Sequence, residues 1–209
     1  MAPSKKKDSK STKPQSDLDK IIDAAFSATE QTRWCKLSLS DIARPADMPL
    51  AEMAKHVNSK ADILSAYLRR VDSAVLENVG EPDPAVPPKD RLFDVIMERF
   101  EMMNERREPF IRIIKSIDPD PYNALENLLR LKHSMELIIE GAGLKHTGIR
   151  GKLRLKGVTG IYLVTLKTWM DDDSPDLSAT MVKLDKLLKR AEQLAKTLGL
   201  DNGDQTVLQ

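Results

Sequence analysis

Few side chains in this chain of 209 residues stand where they could do chemistry. His133 and Glu136 are three apart, a spacing that lets two side chains on one helix face share a metal ion. A zinc site needs three or four such ligands, and the chain holds 3 His and 1 Cys in all. Asp171, Asp172 and Asp173 form an acidic run that could hold a cation and reads more simply as a solvated turn. Cys35, next to Trp34, is the single cysteine; it excludes an intrachain disulfide framework and fits a reducing, cytoplasmic compartment. No Ser/His/Asp arrangement, carboxylate pair or phosphate loop emerges. The expectation is a protein that is not an enzyme, with no catalytic residues, no metal and no cofactor. What remains is the chemistry of contact. Met97, Met102, Met103, Met135, Phe100 and Tyr162 are soft or aromatic side chains able to line a pocket for an apolar ligand.

Helices must position these groups. Charged residues make up 31% of the chain and hydrophobic ones 41%, enough apolar material for a real core. No stretch approaches the ~20 apolar residues of a membrane span, and the basic N-terminus lacks the apolar segment of a secretory signal. Glycine is scarce and no alternating strand pattern appears, so the fold class is all-α, with about nine helices. Three Ser-x-x-Asp capping boxes, Ser16 with Asp19, Ser38 with Asp41 and Ser59 with Asp62, open helices at 17–32, 39–44 and 60–79. A short helix at 49–56 starts with Pro49, which suits the first helical position. The segment GEPDPAVPP at 80–88 is the clearest boundary. Beyond it the apolar spacing predicts helices at 89–106, 108–117, 121–141, 148–171 and 177–198.

The stripe Leu92, Val95, Ile96, Phe100 and Met103 defines one buried face. Residues 125–139 are apolar nearly all round, which predicts the central helix. An apolar cavity is therefore expected among Met97, Phe100, Met103, Leu131, Met135 and Tyr162. Ser174, Pro175 and Asp176 are placed to start the last helix as cap, first residue and dipole partner.

The expected organisation is a disordered basic arm at 1–15, a helix-turn-helix module at 16–79, a linker at 80–88, a helical ligand-binding and dimerisation domain at 89–200 and a tail at 201–209. Charge is unevenly shared. Residues 1–16 carry 5 Lys and 1 Asp, a balance of +4, whereas residues 17–79 carry 8 basic and 10 acidic side chains, a balance of −2.

Residues 37–64, LSLSDIARPADMPLAEMAKHVNSKADIL, resemble the DNA-binding module of the TetR family of bacterial transcriptional regulators. The matching points are Leu39 with Asp41, Ile42 and Ala43, Ala46 at the turn, and His56 followed by Ser59, Lys60, Ile63 and Leu64. The resemblance implies a small DNA reader joined to a larger domain that dimerises and binds a ligand. It also implies that Pro49, Leu50, Ala51, Lys55, His56 and Lys60 face DNA, with Leu50 at a thymine methyl and the cations at phosphates. The family's turn usually has glycine where this chain has Asp47, so Asp47 is expected in the left-handed conformation. Glu52 on the reading helix and the module's negative balance place the expected phosphate affinity in the lysines of the first 16 residues. The implied mechanism is a homodimer whose two readers change spacing when the pocket fills.

A narrower likeness lies in residues 160–190. Trp169 with the Asp171–Thr180 segment and Leu184-Asp185 is similar to the end of the coenzyme Q biosynthesis accessory proteins, which share the TetR fold and bind isoprenoid lipids. It implies the alternative of a lipid-binding accessory protein of ubiquinone biosynthesis with a degenerate DNA reader. Those proteins carry a membrane-binding amphipathic helix near the end, and the residues after 190 are polar here. Broad apolar surfaces on the last two helices lead to an expected dimer interface at Tyr162, Trp169, Leu184 and Leu188.

Overall fold

Two of the three expected capping boxes close in both directions in the computed structural model, which describes residues 16–117 and 121–199. Ser38 and Ser59 accept from the backbone of Asp41 and Asp62, whose carboxylates reach back to the cap. Ser16 caps Asp19 in one direction only, because the Asp19 carboxylate pairs with Arg70 instead. Nine α-helices occupy the described residues, and no strand occurs among them. They are α1 (Asp17–Ala28), α2 (Leu39–Ala43), α3 (Leu50–Met53), α4 (Lys60–Val79), α5 (Pro88–Asn104), α6 (Arg107–Lys115), α7 (Pro121–Gly141), α8 (Gly148–Met170) and α9 (Ser178–Thr197). The basic arm expected at 1–15 and the tail expected at 201–209 lie outside the described residues.

Several boundaries differ from the sequence reading for local reasons. α1 ends at Ala28 rather than 32, because the Thr29 hydroxyl donates to the Phe26 carbonyl at 2.6 Å and the chain then enters a 3₁₀ turn at Trp34–Lys36. α3 is four residues long. Beyond Met53 the N–H groups of Lys55 and His56 donate three residues back, to Glu52 and Met53, tightening 54–56 into a turn. Pro49 is the cap of α3, one place earlier than expected. α4 ends at Gly80, whose φ of 67° is open to glycine at little cost, and α5 begins behind Pro87 with Pro88 in its first turn.

α4 belongs to two layers. One side covers α1, and the other packs on α5 and α7. α5 is the central helix of the larger domain, touching α4, α6, α7 and α9, with Ile96, Phe100 and Met103 fully buried. This corrects the expectation for residues 125–139. α7 leaves Leu128 and Leu129 54% and 58% exposed, so its apolar circumference extends onto the surface. α8 and α9 form an antiparallel pair closing the far side of α5 and α7.

The turn between α8 and α9 also differs. Asp172 is buried, not solvated. Its carboxylate accepts from the Thr180 backbone at 2.7 Å, from the Thr180 hydroxyl at 2.6 Å and from both the backbone and hydroxyl of Ser174. Asp172 therefore anchors the α9 start, behind a left-handed Leu177 (φ 53°), with Ser174 and Asp176 each accepting from the Ser178 N–H. Burial works against ionisation of Asp172, but the hydrogen bonds from Ser174 and Thr180 outweigh it and hold the carboxyl at about 2.

The folded carboxyl is more acidic than the unfolded one, so its contribution is present above about pH 4 and is lost as the pH falls towards 2. It amounts to about 2 kcal/mol at neutral pH. Asp172→Asn should lower stability at pH 7 by about that much and flatten the pH dependence between about pH 4 and 2, as read by urea unfolding.

Candidate nucleic-acid interface

The α2–α3 corner is built on a turn that only a few residue types tolerate. After Ala43 the Met48 N–H donates back to the Ala43 carbonyl at 3.1 Å, and Asp47 takes φ 49°, as the resemblance required of it. Ile42, Ala43, Ala46, Met53 and Val57 turn inward against Ile21, Ala25 and Ile63. Their packing fixes α3 with its other face outward. Pro49, Leu50, Ala51, Lys55 and His56 are all exposed on that face, Leu50 by 44%.

The charges on this surface are partly matched within the module. Lys55 Nζ lies 2.6 Å from Glu52, and His56 Nε2 is 4.0 Å from Asp17. Lys60 departs from its expected place at a phosphate. Its ammonium donates to the carbonyls of Trp34 at 2.6 Å and Cys35 at 3.3 Å, and stands 5.5 Å from the Trp34 ring centroid. It seals the end of the 3₁₀ turn onto α4. Cys35, half-buried, supplies one of those carbonyls.

The residues expected to line a ligand cavity pack together in the core, with a charge among them. Met97, Phe100, Met103, Met135 and Tyr162 are buried, and Leu131 packs at the edge of the same core. In their midst lies Arg99, 1% exposed, a residue the sequence reading passed over. Its Nε donates to Asp72 of α4 at 2.8 Å, and Nη1 donates to the Tyr162 hydroxyl and lies 3.3 Å from the Met103 sulfur. Ser134 of α7 donates to the second Asp72 oxygen. The Tyr162 ring stacks on Phe100, centroids 5.3 Å apart, and Arg99 lies over it at 4.9 Å. Burial pushes the Tyr162 hydroxyl above its ordinary value, against the pull of the Arg99 charge.

The residues expected at a dimer interface have a different setting. Tyr162, Trp169, Leu184 and Leu188 lie inside the chain's own core, none more than 3% exposed. The apolar side chains that α8 and α9 leave exposed include Leu163, Val164 and Val182. His133 and Glu136 stay 3.9 Å apart on the surface, and no group of three His, Cys, Asp or Glu able to hold a metal occurs among the described residues. None of the described helices is long and apolar enough to cross a membrane.

A helix-turn-helix module carried on a larger all-α domain is the class of protein this architecture defines, and solved structures place it more closely in the TetR-type fold. The chain superposes on a TetR transcriptional regulator from Nitrosomonas europaea with a TM-score of 0.68 at 22% identity, over 84% of this chain and 98% of that one. A TetR regulator from a Rhodococcus species aligns with a TM-score of 0.61 at 11% identity, over 83% and 94% of the two chains. A TetR-family regulator from Streptomyces coelicolor gives 0.55 at 16%, over 87% and 82%. These likenesses establish the fold; they do not support the expected likeness to coenzyme Q accessory proteins. No protein-family model and no curated protein matches the sequence.

Removing Asp72 leaves a guanidinium buried without its counter-charge. Asp72→Ala should cost about 3–5 kcal/mol, whereas Asp72→Leu combined with Arg99→Met should recover most of that loss. Chemical unfolding of Asp72→Leu, Arg99→Met and the pair checks this; strictly additive losses would show that the two groups act independently.

Proposed function

We propose that this chain is a dimeric DNA-binding transcriptional regulator of the TetR type whose grip on DNA responds to a small apolar ligand. The observation that carries the reading is the α2–α3 corner, with its left-handed Asp47 and an outward face of Pro49, Leu50, Ala51, Lys55 and His56. That face supplies contact area and few free charges, so most of the phosphate attraction is assigned to Lys5, Lys6, Lys7, Lys10 and Lys13. Leu50 is the side chain best placed to read a thymine methyl.

The proposed dimer uses the outer faces of α8 and α9. Leu163 and Val164 of α8 border a groove with Ala179 and Lys183 of α9, and Val182 beside it is 68% exposed. A second copy laid against this face would form a four-helix bundle. Because Val182 is on the surface, Val182→Glu should give a folded monomer by light scattering. A wild-type chain that is monomeric at micromolar concentration would overturn the dimer.

DNA binding is tested by salt titration on duplexes of varied sequence. Replacing the five N-terminal lysines by glutamine should flatten the log–log salt slope by about 4–5 units. Leu50→Ala should leave overall affinity nearly intact while reducing discrimination between sequences. Absence of binding at low salt would refute the regulator reading. Tight, selective binding that survives loss of the lysines would move the affinity onto α3.

A further inference from the structure

Away from the Arg99 core, the larger domain has a recess of about 340 Å³ between the start of α5, the α7–α8 connection and the facing sides of α8 and α9. Its walls are apolar: Leu92 of α5, Leu144 of the connection, Leu153, Val158 and Ile161 of α8, and Leu188 of α9. Its rim is cationic. Lys89, Arg150 and Arg154 border it against a single carboxylate, Glu192, which is paired with Lys196 at 3.0 Å. Lys89 is held by Asp90 at 2.7 Å and lies 3.9 Å from Asp185, and Arg154 donates to the Lys145 carbonyl. Arg150 is exposed and makes no hydrogen bond or ion pair among the described residues. The rim belongs to a longer bias: residues 141–170 contain 6 Lys and Arg and no Asp or Glu.

Two glycines shape the recess. At Gly151 a Cβ would stand 2.3 Å from the His146 carbonyl carbon, so glycine is needed for the connection carrying Leu144 to lie against α8. At Gly157, on the recess wall, a Cβ would meet nothing within 4 Å. Neither packing nor backbone conformation requires glycine there, and its missing side chain leaves the recess open.

We infer that this recess binds a single-chain anionic amphiphile, its alkyl tail along the α5–α8–α9 walls and its carboxylate at Arg150. Apolar walls with a one-sided cationic rim select a ligand with one charged end. A volume near the lower end of the ~300–1,000 Å³ of small-molecule sites fits one alkyl chain rather than a two-chain lipid. Such a molecule would be the ligand of the regulator proposed above, and the site deepens that reading by naming its chemistry.

The probes are the saturated carboxylates from hexanoate to dodecanoate, with decanol as the uncharged control, titrated calorimetrically into the full chain below their micelle concentrations. Affinity should rise about fourfold per methylene until the recess is full and then level off. Decanol should bind about fivefold more weakly than decanoate, and Arg150→Glu should weaken decanoate by at least as much. Gly157→Leu places a side chain in the recess while improving helix propensity, so it should abolish binding with no loss of melting temperature. No saturable binding, equal affinity for decanol and decanoate, or unchanged binding by Gly157→Leu would each overturn the inference. Binding to anionic vesicles without binding to monomeric carboxylates would identify a membrane surface instead. A change in particle mass caused by Arg150→Glu would identify a contact between copies. All these measurements omit DNA, so failure here leaves the DNA titration to stand or fall alone.

Discussion

The buried contact between Arg99 and Asp72 constrains the larger domain more than any other. A guanidinium fully removed from water is tolerated only where it is paired, and here the pair and the groups bonded to it come from several elements at once. Asp72 comes from α4, Arg99 and Met103 from α5, Ser134 from α7 and Tyr162 from α8. Apolar packing alone would let these helices slide by a fraction of a turn with modest loss. A hydrogen-bonded charge cannot follow such a slip without losing a partner, so the network sets register as well as proximity. Other cross-links extend the same logic to the small module. Arg130 of α7 donates to the Ala61 carbonyl at 2.8 Å and reaches Asp62 at 3.3 Å, and Arg106 lies 2.6 Å from Asp23 of α1.

The helices were legible where local rules suffice. Ser59 with Asp62 and the glycine at 80 bound α4 as read, and α7 begins and ends where its apolar pattern and Pro121 put it. The reading failed where a side chain's partner is distant in sequence. Lys60 has the type and spacing of a phosphate ligand, and nothing local reveals that the carbonyls of Trp34 and Cys35 are waiting for it. Asp171, Asp172 and Asp173 look alike in the sequence and all read as solvated; only the fold turns the middle one toward Thr180. Arg99 did leave a trace. It falls between Val95, Ile96 and Met103 on the buried stripe of α5, as Asp72 falls between Val71 and Val75 on α4. A charged residue at a core position in each of two apolar stripes is a signal for a buried pair, but it does not say that the two stripes meet.

On the proposed regulator reading, the distribution of charge separates two tasks that many DNA readers combine in one helix. The outward face of α3 is small and mostly apolar, and its lysine is already matched by Glu52. It suits discrimination by shape and methyl contact more than attraction. On that reading, attraction over distance is assigned to the lysines of the first 16 residues. Binding strength and selectivity would then vary independently, the first with ionic strength and the second with the residues around Leu50.

The span of α4 has a mechanical consequence. The helix has 20 residues, which at ~1.5 Å per residue makes it about 30 Å long. Asp72 sits 12 residues from Lys60, about 18 Å along the axis. The buried ion pair is thus a fulcrum set in the far half of a rod whose near end carries the α2–α3 corner. A tilt of about 10° about that point would sweep the Lys60 end through about 3 Å, close to the ~3.4 Å step between successive bases on a strand, and because Arg130 holds Ala61 and Asp62 to α7, that end can swing only if α7 moves with it or those bonds open. Small rearrangements of the larger domain need not be transmitted residue by residue. On the proposed regulator reading, the leverage of a stiff helix would enlarge them to the scale of one base step.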